Sequence, residues 1–376
     1  MKRYNIIAVI SYYPDARFEK EVESLVRSGY NVTVVAWDRR KSEERIYNNT
    51  EYRLKIFNLV VPPGSPKVAI FMPIWWLFVF YHLSKEKWDV AHAVNLDTII
   101  PVTVVSRIKR KPVIYDIYDF YADTVLLLQE FPLFRKLLRR IERIFIKLSE
   151  VVVIADDSRR EQIGKNIHGD IIIVYNAPKE DNLEKLNISE TYRLQKLKIF
   201  FGGGVHKDRN IDKIIMSVSG LSWVELVVMG PTEPEYGKKL REISSGLKNV
   251  NLYLRHFPHS EIIKQTRSAD ILFALYDSSI PNNKYASPNK LFEAMMCKKP
   301  IIVSKNTSMA SFVQNYRCGV VVDCNNIKDI TEAILELWNN PKLRKKMGYN
   351  GRKAYEKKYN WKIMEERLLK AYKKIL

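Results

Sequence analysis

Three cysteines in 376 residues, Cys297, Cys318 and Cys324, form no C-x-x-C pair, which excludes a disulfide framework and a cysteine zinc site. A reducing cytoplasm suits such a chain. No secretory leader is expected, because MKRYNIIAVISYY places only a few apolar residues ahead of Pro14-Asp15 and reads as a first strand. The apolar segment 69–83 falls short of the roughly 20 residues that span a bilayer. There is no low-complexity tract, no cluster of metal-ligand residues, and no interleaved basic and aromatic pattern of the RNA-binding kind. Long disorder, a bound metal and a nucleic-acid partner are therefore not expected.

What the chain has in excess is positive charge. Lys and Arg number 62 against 42 Asp and Glu, a net +20, which points to an anionic partner such as phosphate or acidic lipid. Residues 341–376 carry 13 Lys or Arg against 3 Glu, half of that net charge in the last tenth of the chain. A solvated helical tail explains this run as well as a binding surface does. With 46% hydrophobic residues there is apolar side chain for substantial cores. At this length, two domains of roughly 150 to 200 residues are expected.

Short apolar runs at 5–11, 31–37, 90–94, 112–117 and 151–155 alternate with helical stretches, which predicts parallel βαβ units. The rhythm restarts at 198–204 and continues at 224–230, 251–254, 270–276 and 300–304. Two successive α/β sheets follow: a first domain over 1–178, a second over 195–352, and a linker near 178–194. A closing helix over 353–376 has Trp361, Met364, Leu368, Ala371, Tyr372 and Ile375 on one stripe that must dock.

Two segments of the first domain bear on a membrane surface. The segment 69–83 is apolar nearly all round and carries Trp75, Trp76 and Tyr81, residue types that settle at lipid headgroups. A buried helix accounts for it equally well. Residues 133–148 set Phe134, Leu137, Leu138, Ile141, Ile144, Phe145 and Leu148 against Arg135, Lys136, Arg139, Arg140, Arg143 and Lys147. This is a basic amphipathic helix, either a core helix with a solvated face or one that also meets acidic lipid.

The segment richest in chemistry is Ser287-Pro-Asn-Lys-Leu-Phe-Glu-Ala-Met-Met-Cys-Lys-Lys-Pro300. Ser287 suits an N-cap and Pro288 the first helical position, so a helix begins here with free N–H groups and a positive dipole end able to hold a diphosphate. Lys290 and Glu293, three apart, share a face. An ammonium there can meet phosphate while a carboxylate accepts hydrogen bonds from a ribose diol. A second loop, Phe201-Gly-Gly-Gly-Val-His-Lys-Asp-Arg-Asn210, follows a strand and precedes a helix. Its glycines, Gly203 and Gly204 among them, admit a close ligand, and its basic side chains reach phosphate. It is neither a G-x-G-x-x-G nor a Walker loop.

Glu293-Ala-Met-Met-Cys-Lys-Lys-Pro300 resembles the donor-binding signature of retaining GT-B glycosyltransferases, family 4. That family places another Glu eight residues earlier, where this chain has Tyr285, so its contact to the donor sugar does not carry over. Weaker landmarks follow in the family's order: Pro14-Asp-Ala-Arg17 with Gly29-Tyr-Asn-Val32, Trp88-Asp-Val-Ala-His92 with Asn95, Leu96 and Asp97, Val113-Ile-Tyr-Asp-Ile-Tyr-Asp119, and Val174-Tyr-Asn-Ala-Pro178. In the glycine loop the family's diphosphate-binding Arg falls on Gly204 and its Lys on Arg209.

The resemblance implies an α/β chain of the GT-B fold, two facing Rossmann-like domains whose closing helix returns to the first. It implies a cytoplasmic enzyme that moves a sugar, with retention of configuration, from a nucleotide-diphosphate donor to a glycan or a polyprenyl- or other lipid-linked acceptor. No cofactor and no metal are implied. Arg209, Lys290, Lys207, Gly203 and Gly204 would hold the diphosphate and Glu293 the ribose. Tyr285, Ser287 and Asn289 would lie near the donor sugar, while Asp119 and His92 are the catalytic candidates on the acceptor side. A sugar-nucleotide epimerase or hydrolase of the same architecture, or a non-catalytic partner subunit, would show the same landmarks. The aromatic segment, the basic stripe and the charged tail together suggest a peripheral enzyme on the inner face of the cell membrane, with all three on one half of the molecule.

Overall fold

Apolar runs of strand length, separated by helices that each bury one stripe, build two parallel sheets. The computed structural model describes residues 3–39, 51–61, 67–124, 131–164, 169–180 and 196–376. Residues 181–194 of the expected linker lie outside these. The chain forms two compact units, Met1–Tyr175 together with Met364–Leu376, and Asn176–Ile363.

Unit 1 runs β1 (Asn5–Tyr13), α1 (Ala16–Arg27), β2 (Asn31–Asp38), β3 (Arg53–Asn58), α2 (Lys67–Lys85), β4 (Val90–Val94), α3 (Leu96–Lys109), β5 (Val113–Ile117), α4 (Tyr121–Thr124), α5 (Pro132–Leu148), β6 (Val151–Ile154), α6 (Arg160–Ile163) and β7 (Asp170–Ile173). Its sheet has the order β3-β2-β1-β4-β5-β6-β7, every pair parallel. Because strand side chains alternate between faces, Ile7, Val9, Trp37, Ala91 and Tyr115 point to one side, where α2, α3 and α5 cover them. His92 and Asp116 point to the other side, toward α1 and the chain's final helix.

Unit 2 runs β8 (Leu197–Gly202), α7 (Ile211–Val218), β9 (Val224–Met229), α8 (Pro234–Ile243), β10 (Val250–Tyr253), α9 (His259–Ser268), β11 (Ile271–Ala274), α10 (Pro281–Lys284), α11 (Asn289–Met296), β12 (Ile301–Ser304), α12 (Ser308–Tyr316), β13 (Gly319–Val322), α13 (Ile327–Asn339) and α14 (Pro341–Lys358). The sheet order is β10-β9-β8-β11-β12-β13, again all parallel. Its larger apolar cluster joins α7, α8 and α13 to one sheet face. α9, α11 and α12 pack against β8, β11 and β12.

The closing segment differs from the single helix expected from residue 353. The helix breaks at Tyr359-Asn360, where Asn360 turns its side-chain amide back onto the Tyr355 and Glu356 carbonyls and accepts the N–H of Ile363. Residues 353–358 thus belong to α14 and unit 2. Only α15 (Trp361–Ile375) reaches unit 1, where Met364, Leu368, Ala371 and Tyr372 are fully buried. The charged tail divides with it: α14 carries eight Lys or Arg against Glu356, so most of the excess sits in unit 2 and the three features do not share one half.

In α2 the tryptophans pack on the core, Trp75 wholly and Trp76 in part. Trp75 is fully buried among Trp37, Phe57 and Phe78, and Trp76 donates its indole N–H to the Asp97 carbonyl at 2.8 Å. The exposed apolar side chains of this helix are Ile70 (70%), Ile74, Leu77 (68%) and Tyr81. Among the described residues it is the one helix long and apolar enough to cross a membrane. α5 spreads its apolar stripe more widely than the sheet can cover: Leu138, Ile141 and Phe145 pack on the core, while Leu133 (80%), Phe134, Leu137 and Ile144 stay exposed. Between the two, α3 adds exposed Val104 and Ile108.

Candidate active site

In unit 2 the strand order reverses between β8 and β11, and ligands of open α/β sheets bind beyond the carboxyl ends of strands at such a reversal. The glycine loop leaves β8 there. Gly203 adopts φ +119°, and its N–H donates to the Met229 carbonyl at 2.9 Å. The loops after β8 and β9 touch backbone to backbone: a Cβ on Gly230 would lie 1.9 Å from the Gly203 oxygen. Lys290 stands over this loop. Its ammonium would lie 2.8 Å from a Cβ at Gly203 and rests 4.4 Å from the Phe201 ring centre.

Arg209 follows in the 3-10 turn Lys207–Arg209. Its guanidinium stacks 3.6 Å from the Tyr276 ring centre, donates from Nη1 to Asn283 Oδ1 at 2.8 Å, and pairs with Asp208 at 3.0 Å. Asn283 is locked in turn by donating to Asp208 Oδ2 and the Asp277 carbonyl. A planar cation held from one edge leaves the rest of its fork for an anion. Lys207 is exposed, and Gly204 is half-buried beside the His206 ring.

α11 begins one residue later than expected. Pro288 takes the N-cap position in an extended conformation (φ −71°, ψ 159°), and no side chain caps the helix. Ser287 is buried ahead of it, and Tyr285 is half-buried with the Lys284 ammonium 5.1 Å from its ring centre. Asn289 Oδ1 is buried without a hydrogen-bond partner, an acceptor that a ligand or water would satisfy. Glu293 is buried and its Oε1 lies 2.7 Å from Nε2 of His259, a side chain 56% exposed. No motif marked His259. Only the folding of α9 against α11 brings it to a carboxylate 34 residues away.

In unit 1 the reversal falls between β1 and β4. Asp119 lies just past β5, half-exposed, and accepts from the Arg159 guanidinium at 3.0 Å. Asn95, with φ +64°, accepts the N–H groups of Tyr118 and Asp119 on its side-chain oxygen and so fixes this loop. A second polar centre went unsignalled apart from its Asp. Asp97, at the start of α3, accepts from Ser11 Oγ and from Arg39 Nη2. It keeps a buried oxygen without a partner, and burial pushes its carboxyl up.

His92, expected on the acceptor side, lies instead inside the unit, 1% exposed, with Nδ1 2.6 Å from the Tyr372 hydroxyl of α15. Its Nε2 lies 3.5 Å from Asp116 Oδ2 and 3.9 Å from Glu21 Oε2. In mid-strand and covered by a helix, its ring is shut off from solvent. Arg17 closes the group by donating to Glu21 at 2.9 Å and to Asp116 at 3.0 Å. Burial raises the Asp116 carboxyl, yet the Arg17 charge and His92 outweigh it and hold the group below its ordinary range. Burial and the Asp116 charge push Glu21 up. Glu21, His92 and Asp116 offer ligand-type atoms within 4.8 Å of one another. The Arg17 guanidinium donates to both carboxylates, so the arrangement reads as a buried ion-pair knot.

Residues 20–178 match the family model described as Glycosyltransferase Family 4, and residues 182–354 match Glycosyl transferases group 1. A capsular polysaccharide biosynthesis glycosyltransferase of Staphylococcus aureus, CapM, is 23% identical over 393 residues, covering 100% of this chain and 97% of the relative. Among solved structures, sucrose-phosphate synthase of Thermosynechococcus elongatus superposes with a TM-score of 0.77 at 14% identity, covering 98% of each chain. HepE of Anabaena in complex with UDP gives 0.73 at 12% identity, covering 99% of this chain and 100% of that one. At such identities the structural likeness speaks for the fold alone.

Proposed function

This chain belongs to the glycosyltransferases of the GT-B fold, a Family 4 segment followed by a group 1 segment, and from that premise we propose that unit 2 binds a nucleotide-diphosphate sugar whose sugar passes, with retention and without a metal, to a glycan or lipid-linked acceptor. The observation that carries this reading is the reversal point of unit 2, where Lys290, Arg209, the uncapped start of α11 and the buried Glu293 follow β8 and β11. Two cations and a helix N-terminus neutralise the departing diphosphate as the bond to the anomeric carbon breaks. That is the role a divalent metal would otherwise fill. UDP bound to the structurally similar HepE supports a nucleoside diphosphate here. On unit 1, Asp119 is the group offered to an acceptor hydroxyl, and Asp97 is a second, buried carboxylate of the same unit.

A thermal-shift screen across UDP-, GDP- and ADP-sugars tests the donor, since a ligand that binds only the folded state raises Tm. Nucleotide release that depends on added acceptor separates transfer from epimerisation or hydrolysis. Glu293→Gln is expected to weaken donor binding by about 1 to 3 kcal/mol through loss of a charge-assisted hydrogen bond. His259→Ala, which frees the Glu293 carboxylate to rotate, is expected to cost about 1 kcal/mol in the same titration. Donor affinity unchanged by Glu293→Gln would remove Glu293 from the site.

The membrane reading rests on the apolar side chains that α2, α3 and α5 leave in solvent, flanked by exposed Lys136, Arg140, Arg143 and Lys147. These suit the headgroup region of an acidic, cytoplasm-facing leaflet, where each basic residue contributes about 1 kcal/mol. Co-sedimentation with acidic vesicles should be strong at low salt and weaker at high salt. Leu77→Ser with Leu133→Ser, both at exposed positions, should reduce it at unchanged fold. No binding to acidic vesicles at low salt would refute this reading.

A further inference from the structure

The basic run at 341–358 has no part in the donor site, and its placement gives it a function of its own. α14 turns Lys346, Asn350, Lys353, Ala354 and Lys357 along one stripe, at spacings of three and four. That stripe faces the end of α12, where Arg317 takes a left-handed conformation (φ +49°) and its carbonyl accepts the Asn350 side-chain amide at 3.1 Å. The small Ala354 leaves the space between the helices concave, a groove of about 370 Å³. Arg317, Lys346, Lys353, Lys357 and Lys358 line it, and among the described residues no carboxylate does.

Other cations on α14 are satisfied: Arg352 pairs with Glu180 and Glu356, and Arg344 donates to the Leu337 and Trp338 carbonyls. Among the described residues no ion pair joins Arg317, Lys346, Lys353 or Lys357 to an acid, and Lys358 meets only the Tyr316 hydroxyl, at 3.3 Å. Like charges one turn apart destabilise a helix. A concave face that collects five of them without a counter-charge is arranged for an anion.

We propose that the groove between α12 and α14 is a second anion site, for a ligand bearing several phosphate charges, separate from the donor site. α12 ends immediately before β13 begins, so the groove lies at the amino-terminal edge of the parallel sheet. The donor candidates follow the carboxyl ends of β8 and β11, at the opposite edge of the same unit. The array of four ammonium groups and one guanidinium selects charge, with Tyr316 as the aromatic among the described lining residues. A free polyphosphate and the headgroups of an acidic lipid share this chemistry.

Calorimetry of the full chain with tripolyphosphate at low salt tests the proposal. Two binding events are expected in the wild type. The triple variant Lys346→Gln, Lys353→Gln, Lys357→Gln, all at exposed helical positions, should lose one of them, and Arg209→Ala with Lys290→Ala should lose the other. Co-sedimentation of the triple variant with vesicles of phosphatidylglycerol and phosphatidylcholine then identifies the source. Reduced sedimentation assigns the groove to lipid headgroups, and unchanged sedimentation assigns it to a soluble phosphate. A triple variant that keeps every binding event of the wild type overturns the proposal, whereas a wild type with a single event that Arg209→Ala with Lys290→Ala leaves intact and the triple variant abolishes speaks against the donor site alone.

Discussion

Arg209→Ala and Lys290→Ala are each expected to lower kcat/KM by roughly 10- to 150-fold, the rate equivalent of about 1.5 to 3 kcal/mol for a hydrogen bond to a charged group. The two act from different supports. Lys290 reaches the glycine loop from the first turn of α11, whereas Arg209 is held by Asn283, Asp208 and the Tyr276 ring. Lys207, exposed on the same 3-10 turn, provides the comparison. Its Ala variant should lose much less, because no described contact orients it and a flexible ammonium forfeits more entropy on binding. If Lys207→Ala proves the more damaging change, the glycine loop presents a different residue to the diphosphate. Steady-state kinetics with the donor varied would reveal this.

A second large effect is expected in stability. Asp116→Ala removes one carboxylate from the buried knot of Arg17, Glu21 and His92 and leaves the guanidinium with a single carboxylate, Glu21. Removing one member of a buried ion pair typically costs about 3 to 5 kcal/mol. The urea midpoint of unit 1 should fall accordingly. Asp119→Asn, whose side chain is 43% exposed and keeps an oxygen for the buried Arg159 guanidinium, should move the midpoint much less while reducing transfer. A mild Asp116→Ala variant would mean that Glu21 alone satisfies Arg17. Equal midpoint losses at Asp116 and Asp119 would make Asp119 a structural residue.

The parts of this molecule that could be read from sequence are those whose signal is local. Pro288 ahead of Leu291, Phe292, Ala294 and Met295 announces a helix because a few adjacent positions decide it. The central strands β1, β11 and β12 are buried and almost wholly apolar on both faces, and read as continuous runs. The unanticipated β3 and β13 are sheet edges whose residues are mostly half-exposed, so their apolar pattern is diluted. The missed site features are contacts between distant segments. His259 gains meaning only where it meets Glu293, and His92 looked reactive until Tyr372, 280 residues later, covered it. The tryptophans of α2 misled for a related reason: indoles suit a headgroup layer and a core alike, and Trp37 and Phe57 supplied the core.

Because α15 belongs to unit 1 but follows unit 2 in sequence, the order of synthesis and the order of completion are opposed. Domains usually fold as units as they leave the ribosome, the amino-terminal one first. Here the amino-terminal sheet emerges early, yet the residues that cover His92 and fill the pocket around Met364, Leu368 and Tyr372 are translated only after all of unit 2. Unit 2 is continuous from Asn176 to Ile363 and can close its own core without waiting. For the time it takes to translate that unit, the nascent chain carries one face of its first sheet without its last helix. A chain ending at Ile363 would have its second unit finished and its first still open.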